Sequence, residues 1–155
     1  MSMLIVRSQL IEALCVHLRT AVPEFRLVKP YHGELDRYSK KVQIQEETFP
    51  AVVNLTTPFA LVVSKNRTSL EKQGNSTKFR HEISIYIGDS NRMDFSNQNV
   101  PNIFTLMSKC VDALDGKSFL RGAGLLTVES DGEYLITTDL FTIYDQKYFQ
   151  LEIGN

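Results

Sequence analysis

Residues 64–78 read SKNRTSLEKQGNSTK, with Leu70 as their one strongly apolar side chain. They lie between β-rich runs: 51–55 (AVVNL) and 59–63 (FALVV) before them, and an alternating stretch from Phe79 to Ile87 after them. Read as a connection, the segment far exceeds the roughly 4–6 residues usual between elements, and so long a loop is commonly functional or disordered. Lys65, Arg67, Lys72 and Lys78 stand here against a single acid, Glu71. The expectation is a mobile basic arm at about 64–78 on a rigid scaffold, serving binding and not catalysis.

The 155 residues suit a single domain spanning 1–155. With 43% hydrophobic and 23% charged residues there is apolar mass for one core. A net charge of −1 argues against whole-surface nucleic-acid binding, which needs a basic excess, and leaves room only for a local patch. Residues 1–22 do not read as a signal peptide, because Arg7, Glu12, His17 and Arg19 interrupt the apolar run. No window approaches the ~20 apolar residues of a membrane span. Cys15 and Cys110 fall in expected helices and read as small buried hydrophobes, not as a disulfide of an exported protein. The sequons at Asn54, Asn66 and Asn75 read as chance.

Residues 3–20 carry Leu4, Ile11, Leu14 and Leu18 at helical spacing, with Ser2 as the expected N-cap and Pro23 beyond the stop. A short strand is expected at 25–28. The charged connection 31–48 follows, with Val42 and Ile44 as a brief edge strand. Two strands flank Thr57-Pro58. In the strand 79–89, Phe79, His81, Ile83, Ile85 and Ile87 share one face, and Arg80, Glu82, Ser84 and Tyr86 the other, which predicts a half-buried antiparallel strand. A second helix is expected at about 100–114, capped by Asn99, with Ile103, Met107, Cys110, Val111 and Leu114 inward. Asp131-Gly132 then suits a two-residue type I′ turn, and residues 145–147 a second turn before a last strand at 148–153. The expected core joins Ile11, Leu14, Leu18, Ile83, Ile85, Met107, Val111, Phe141 and Ile143. Segregated helices and hairpin-linked strands predict an α+β fold, a mostly antiparallel sheet with two helices packed on one face.

Few constellations carry chemistry. His32, Glu34 and Asp36 alternate and could ligate a metal, but Gly33 and the charged surroundings favour a solvated loop. His81, on an apolar strand face, reads as a hydrogen-bonded core histidine. Asp139 reads as solvent-facing beside a bulge. The cysteines lie on helical core stripes, where a thiol is inert. No GxxxxGK[ST], HExxH, GxSxG or paired CxxC occurs. The expectation is a protein that is not an enzyme, with no catalytic residue, no cofactor and no metal.

Four stretches carry a resemblance: the opening helix SQLIEALCVHLRTAVP, the strand start FPAVV at Phe49, the strand FRHEISIYIGD, and the late helix IFTLMSKCVDAL before a run of strands. In order and pattern the chain resembles the Mu-like prophage tail family, similar to phage tail terminator and head–tail joining proteins. That resemblance implies a tail-terminator-like α+β fold and a structural, non-catalytic protein of the bacteriophage or prophage virion. Its members form rings, commonly hexamers, that cap the tail tube, meet the neck and pass DNA without sequence-specific binding. It implies host cytoplasm during assembly, then the virion tail, with no membrane partner. Lys65, Arg67, Lys72, Lys78 and Arg80 become the candidate lumen or assembly arm. Glu34, Asp36, Arg37, Lys40 and Lys41 become the candidate subunit-contact loop. The alternative reading is an intracellular binding or adaptor domain that recognises a partner by sheet-edge addition.

Overall fold

The computed structural model describes residues 6–35, 55–90, 102–120, 124–137 and 141–154. In chain order these form α1 (Arg7–Ala21), β1 (Leu27–Pro30), β2 (Phe59–Gln73), β3 (Ser76–Ser90), α2 (Ile103–Leu114), β4 (Thr127–Thr137) and β5 (Phe141–Gly154). The sheet order is β1-β2-β3-β5-β4, with β1 parallel to β2 and every other pair antiparallel. This is an α+β fold.

Both helices form where an apolar stripe meets the sheet, and both begin later than the sequence suggested. α1 starts at Arg7, with extended Val6 at its N-cap and no side-chain cap, so Ser2 does not cap it. Its stripe begins at Leu10 and continues through Ile11, Leu14, Cys15 and Leu18. α2 is capped by Asn102 and not by Asn99: Asn102 Oδ1 accepts a hydrogen bond from the Thr105 backbone N at 3.0 Å, satisfying one orphan donor of the first turn. Asp115 ends α2, and Gly116 follows at φ +75°, a conformation that favours glycine.

Residues 64–78 do not interrupt the sheet. β2 continues through them to Gln73, turns at Gly74-Asn75 with Gly74 at φ +60°, and returns as β3. The register runs from Phe59↔Gly88 to Gln73↔Ser76, with shifts between Ser64 and Arg67 and between Ser69 and Glu71. The expected mobile arm is a hydrogen-bonded hairpin. It reads as loop because it carries polar side chains on both faces, and its bulges break the period of two.

The end of the chain has two long strands where three were expected. Asp131-Gly132 is no turn but an irregularity within β4, between the pairs Ser130↔Lys147 and Glu133↔Asp145. Asp145, Gln146 and Lys147 form no turn either; they lie inside β5, opposite Tyr86, Ile85 and Ser84. Gln146 explains both departures. Its Nε2 donates to Met107 O at 3.0 Å and Asp131 O at 2.9 Å, while its Oε1 accepts from Tyr148 OH at 2.6 Å. A polar residue that looks like turn chemistry is thus a fully bonded core amide tying the β4 bulge to α2. A Cβ on Gly132 would lie 2.6 Å from Met107 Sδ, so the bulge folds closely over the helix.

Buried side chains occupy both faces of the sheet. Leu10, Leu14 and Leu18 of α1 and Leu106, Cys110 and Leu114 of α2 pack with Ile83, Ile85, Ile87 and Tyr148 on one side. On the other, Leu35, Phe59, Leu61, Tyr86, Phe141 and Ile143 form a second cluster. Three corrections follow. Phe141 and Ile143 are buried away from the helices, Val111 is only half-buried, and Ser84 and Tyr86 are buried on the face of β3 expected to meet solvent. The expected strands at 42–44 and 51–54 lie outside the described residues, as does Asp139.

Candidate functional site

The outer half of the β2–β3 hairpin is anchored by a polar cluster inside the sheet. The alternation that points Ile83 and Ile85 inward also points His81 inward, where it is fully buried. In register, His81 faces Gln150 and Phe79 faces Glu152, so both polar residues of β5 reach the same space. His81 Nδ1 lies 3.0 Å from Glu152 Oε1, and its Nε2 lies 2.7 Å from Ser64 Oγ. A carboxylate only accepts, so Nδ1 donates to Glu152, and Nε2 shares a hydrogen bond with the Ser64 hydroxyl. Gln150 Nε2 donates to Glu152 Oε1 at 2.7 Å, and Arg67 Nε stands 2.9 Å from Glu152 Oε2. Burial alone would raise the Glu152 pKa. The hydrogen bonds from His81 and Gln150 and the charges of His81 and Arg67 outweigh it, holding the carboxyl below its usual range.

Serine, imidazole and carboxylate in this order have the polarity of a proton relay. A relay also needs its hydroxyl to open on a substrate space. Three surface hollows are lined by described residues: one by His17, Lys117 and Phe119, one by Glu71, Lys78 and Ile153, and one by Phe104, Met107 and Asp131. Ser64 is not among the residues that line these three. Arg67 balances the carboxylate as an ion pair, and the cluster ties β2 and β3 to β5.

The candidate arm residues separate in space. Arg67 belongs to the buried cluster. Arg80 pairs with Glu129, lies 3.6 Å from Glu82 and stacks 3.9 Å above the Phe149 ring. Lys65 sits 5.3 Å over the Tyr86 ring. Lys72 is exposed near the hairpin tip, and Lys78 is half-buried opposite Glu71. The five cations therefore form no continuous basic patch, because two of them are paired to acids. Of the candidate contact loop, Glu34 holds Lys29 at 2.6 Å and accepts from the His32 backbone N at 2.8 Å. Burial opposes ionisation of Glu34, but Lys29 and these hydrogen bonds lower its pKa overall. Asp36, Arg37, Lys40 and Lys41 lie outside the described residues, so the His32–Glu34–Asp36 trio is incomplete within them. No metal-ligating cluster occurs among the described residues.

The most distinctive surface is the pair of sheet edges, which the sequence reading invoked without assigning them to particular strands. Among the described residues β1 pairs with β2 over Phe59–Val62 and no further. Beyond it Lys65, Asn66 and 68–72 are exposed. At the opposite side β4 exposes Glu129, Asp131, Glu133, Tyr134 and Leu135. The signal was present: two long strands rich in charge cannot both sit inside a sheet.

Cys15 and Cys110 are free and buried. Burial pushes their thiols up to about 11 and about 12 respectively. Both should therefore fail to react with a disulfide reagent at pH 8 in the native protein and react promptly in denaturant. Rapid native labelling of either thiol would contradict the burial described. Compared with known proteins, the chain matches no protein-family model and no curated protein.

Proposed function

We infer that this protein is a structural assembly protein of a phage-type tail, a terminator or completion factor that forms a ring on the tail tube and joins it to the head. The carrying observation is the pair of exposed edges on opposite sides of one continuous sheet, the outer half of β2 and the strand β4. Contact between two different patches of one chain is heterologous, and such contacts propagate into rings or filaments instead of stopping at a dimer. The family resemblance supports a ring at the tail end. The ion-paired state of Arg67 and Arg80 supports a lumen that passes DNA without gripping it, since each unpaired phosphate contact adds a salt-sensitive binding term.

A second reading draws on the same open edge. An adaptor would take a strand from an unrelated partner there. The two readings separate on tail tubes. Incubated with purified tubes, the protein should appear by negative-stain microscopy as a ring at one tube end, and particles made without it should carry tails of uncontrolled length. Normal tails without the protein would reject the assembly reading.

A further inference from the structure

The two edges differ in charge. Along 64–73 of β2 the exposed charges are Lys65 and Lys72 against Glu71, Arg67 being paired inward with Glu152, whereas β4 carries Glu129, Asp131 and Glu133 with no lysine or arginine. Each edge also exposes large apolar side chains: Leu70 on β2, Tyr134 and Leu135 on β4. We propose that these edges pair with each other between neighbouring copies, the outer half of β2 of one copy against β4 of the next. The occupant of each edge is thus a second copy of this chain.

Strand direction favours the pairing. β2 is antiparallel to β3, β3 to β5 and β5 to β4, so β4 runs opposite to β2. Copies laid side by side with the same face outward therefore bring β4 antiparallel to β2, the more stable ladder. Among the described residues, Arg7 donates from its guanidinium to Lys65 O at 3.1 Å, at the start of the exposed run. On β4, Glu129 and Glu133 are bound to Arg80 and Lys147 of the same chain. Exposed pairs of this kind contribute little, so they yield readily to a new cation, and Asp131 is exposed beside them.

The edges are also stepped. Thr68 stands level with Arg80 and Leu151, whereas β4 reaches along β5 only to Phe149. Joined copies are displaced along the strands, and a closed ring absorbs such a step by tilting its strands against the axis, as barrels do. One strand pair is smaller than a standard interface. The contact is accordingly weak between two free copies and strong only once the ring closes or a tube end gathers the subunits.

This inference rests on the ring reading, and the test separates them. Sedimentation of the purified chain, alone at high concentration and with tail tubes, should show self-association that weakens as NaCl rises from ~0.1 M to ~1 M, where screening shortens from about 10 to about 3 Å. Two variants carry like charges on both edges: Lys65→Glu/Lys72→Glu, and Asp131→Lys/Glu133→Lys. Each alone should associate at least ~10-fold more weakly, since like charges face each other. Mixing the two should restore assembly as an alternating ring, a result that only folded variants can give. Rings that form regardless of both reversals and of salt would overturn the edge pairing and leave the ring reading standing. A chain that stays monomeric even on tail tubes would overturn both.

Discussion

Replacing Glu152 by leucine is expected to destabilise the protein by about 3–5 kcal/mol, the cost of removing one partner from a buried ion pair. Glu152 is nearly fully buried, and three groups converge on it: His81 at 3.0 Å, Gln150 at 2.7 Å and Arg67 at 2.9 Å. Without the carboxylate, the His81 Nδ1 proton and the Gln150 amide lose their acceptor, and the Arg67 charge is left beside an apolar core. The double variant Arg67→Met/Glu152→Leu should recover most of the loss, because a removed pair costs far less than half of one. Urea unfolding of the two variants decides the matter. If the double variant is as unstable as the single one, packing and not charge governs the site.

The same residue predicts a pH dependence of fixed sign. The folded-state pKa of Glu152 is held below its ordinary value of 4.5. The ionised carboxylate therefore contributes its full stability above about 4.5, and that contribution is lost as pH falls through the lower folded value. The stability gap between the natural chain and Glu152→Leu should be widest near neutrality and shrink in acid. A gap that widens in acid would show that the carboxyl is buried in its neutral form.

The parts of the molecule legible in the sequence were those where burial selects residue type on one face. The α1 stripe, the inward set His81, Ile83 and Ile85, and the α2 positions Met107 and Cys110 all follow that rule, and all lie on the helix side of the sheet. Legibility ended where it fails. β2 past Val63 has polar side chains on both faces, so only its ladder with β3 makes it a strand. Asp131-Gly132 has hairpin chemistry but serves a bulge, because Gln146 fastens its carbonyl to α2 from a strand away. Asn102 outcompetes Asn99 as a cap because the apolar stripe, and hence the helix, starts at Ile103. The candidate site was half legible: the cations of the arm were visible, but their partners Glu129 and Glu152 lie 49 and 85 residues away. Such long-range pairings depend on register, which local composition does not encode.

The second large effect is expected from the smallest change, Gly88→Ala. Gly88 pairs with Phe59 across the β2–β3 ladder. A Cβ added at Gly88 would lie 2.2, 2.5 and 2.7 Å from three atoms of the Phe59 ring. The backbone at Gly88 is not left-handed, so alanine meets no conformational penalty, and the whole effect is steric. The ring has little room to yield. Phe59 is fully buried and packs edge-on against Phe141 with centroids 5.5 Å apart. Forced into a filled core, one methyl typically costs about 1–3 kcal/mol, and the upper end is expected because both rings must move together. Phe59→Leu in the same chain should relieve part of the clash, so the two substitutions together should cost less than the sum of each alone. Simple additivity would mean that Phe59 does not lie over Gly88. The position matters beyond stability, since Phe59 opens β2 where β1 pairs with it and the second core cluster seats it. Loosening that seat releases the base of the strand whose outer half forms the exposed edge. Gly88→Ala should therefore weaken self-association as well as folding, whereas a change confined to the edge, such as Lys72→Glu, should weaken association alone.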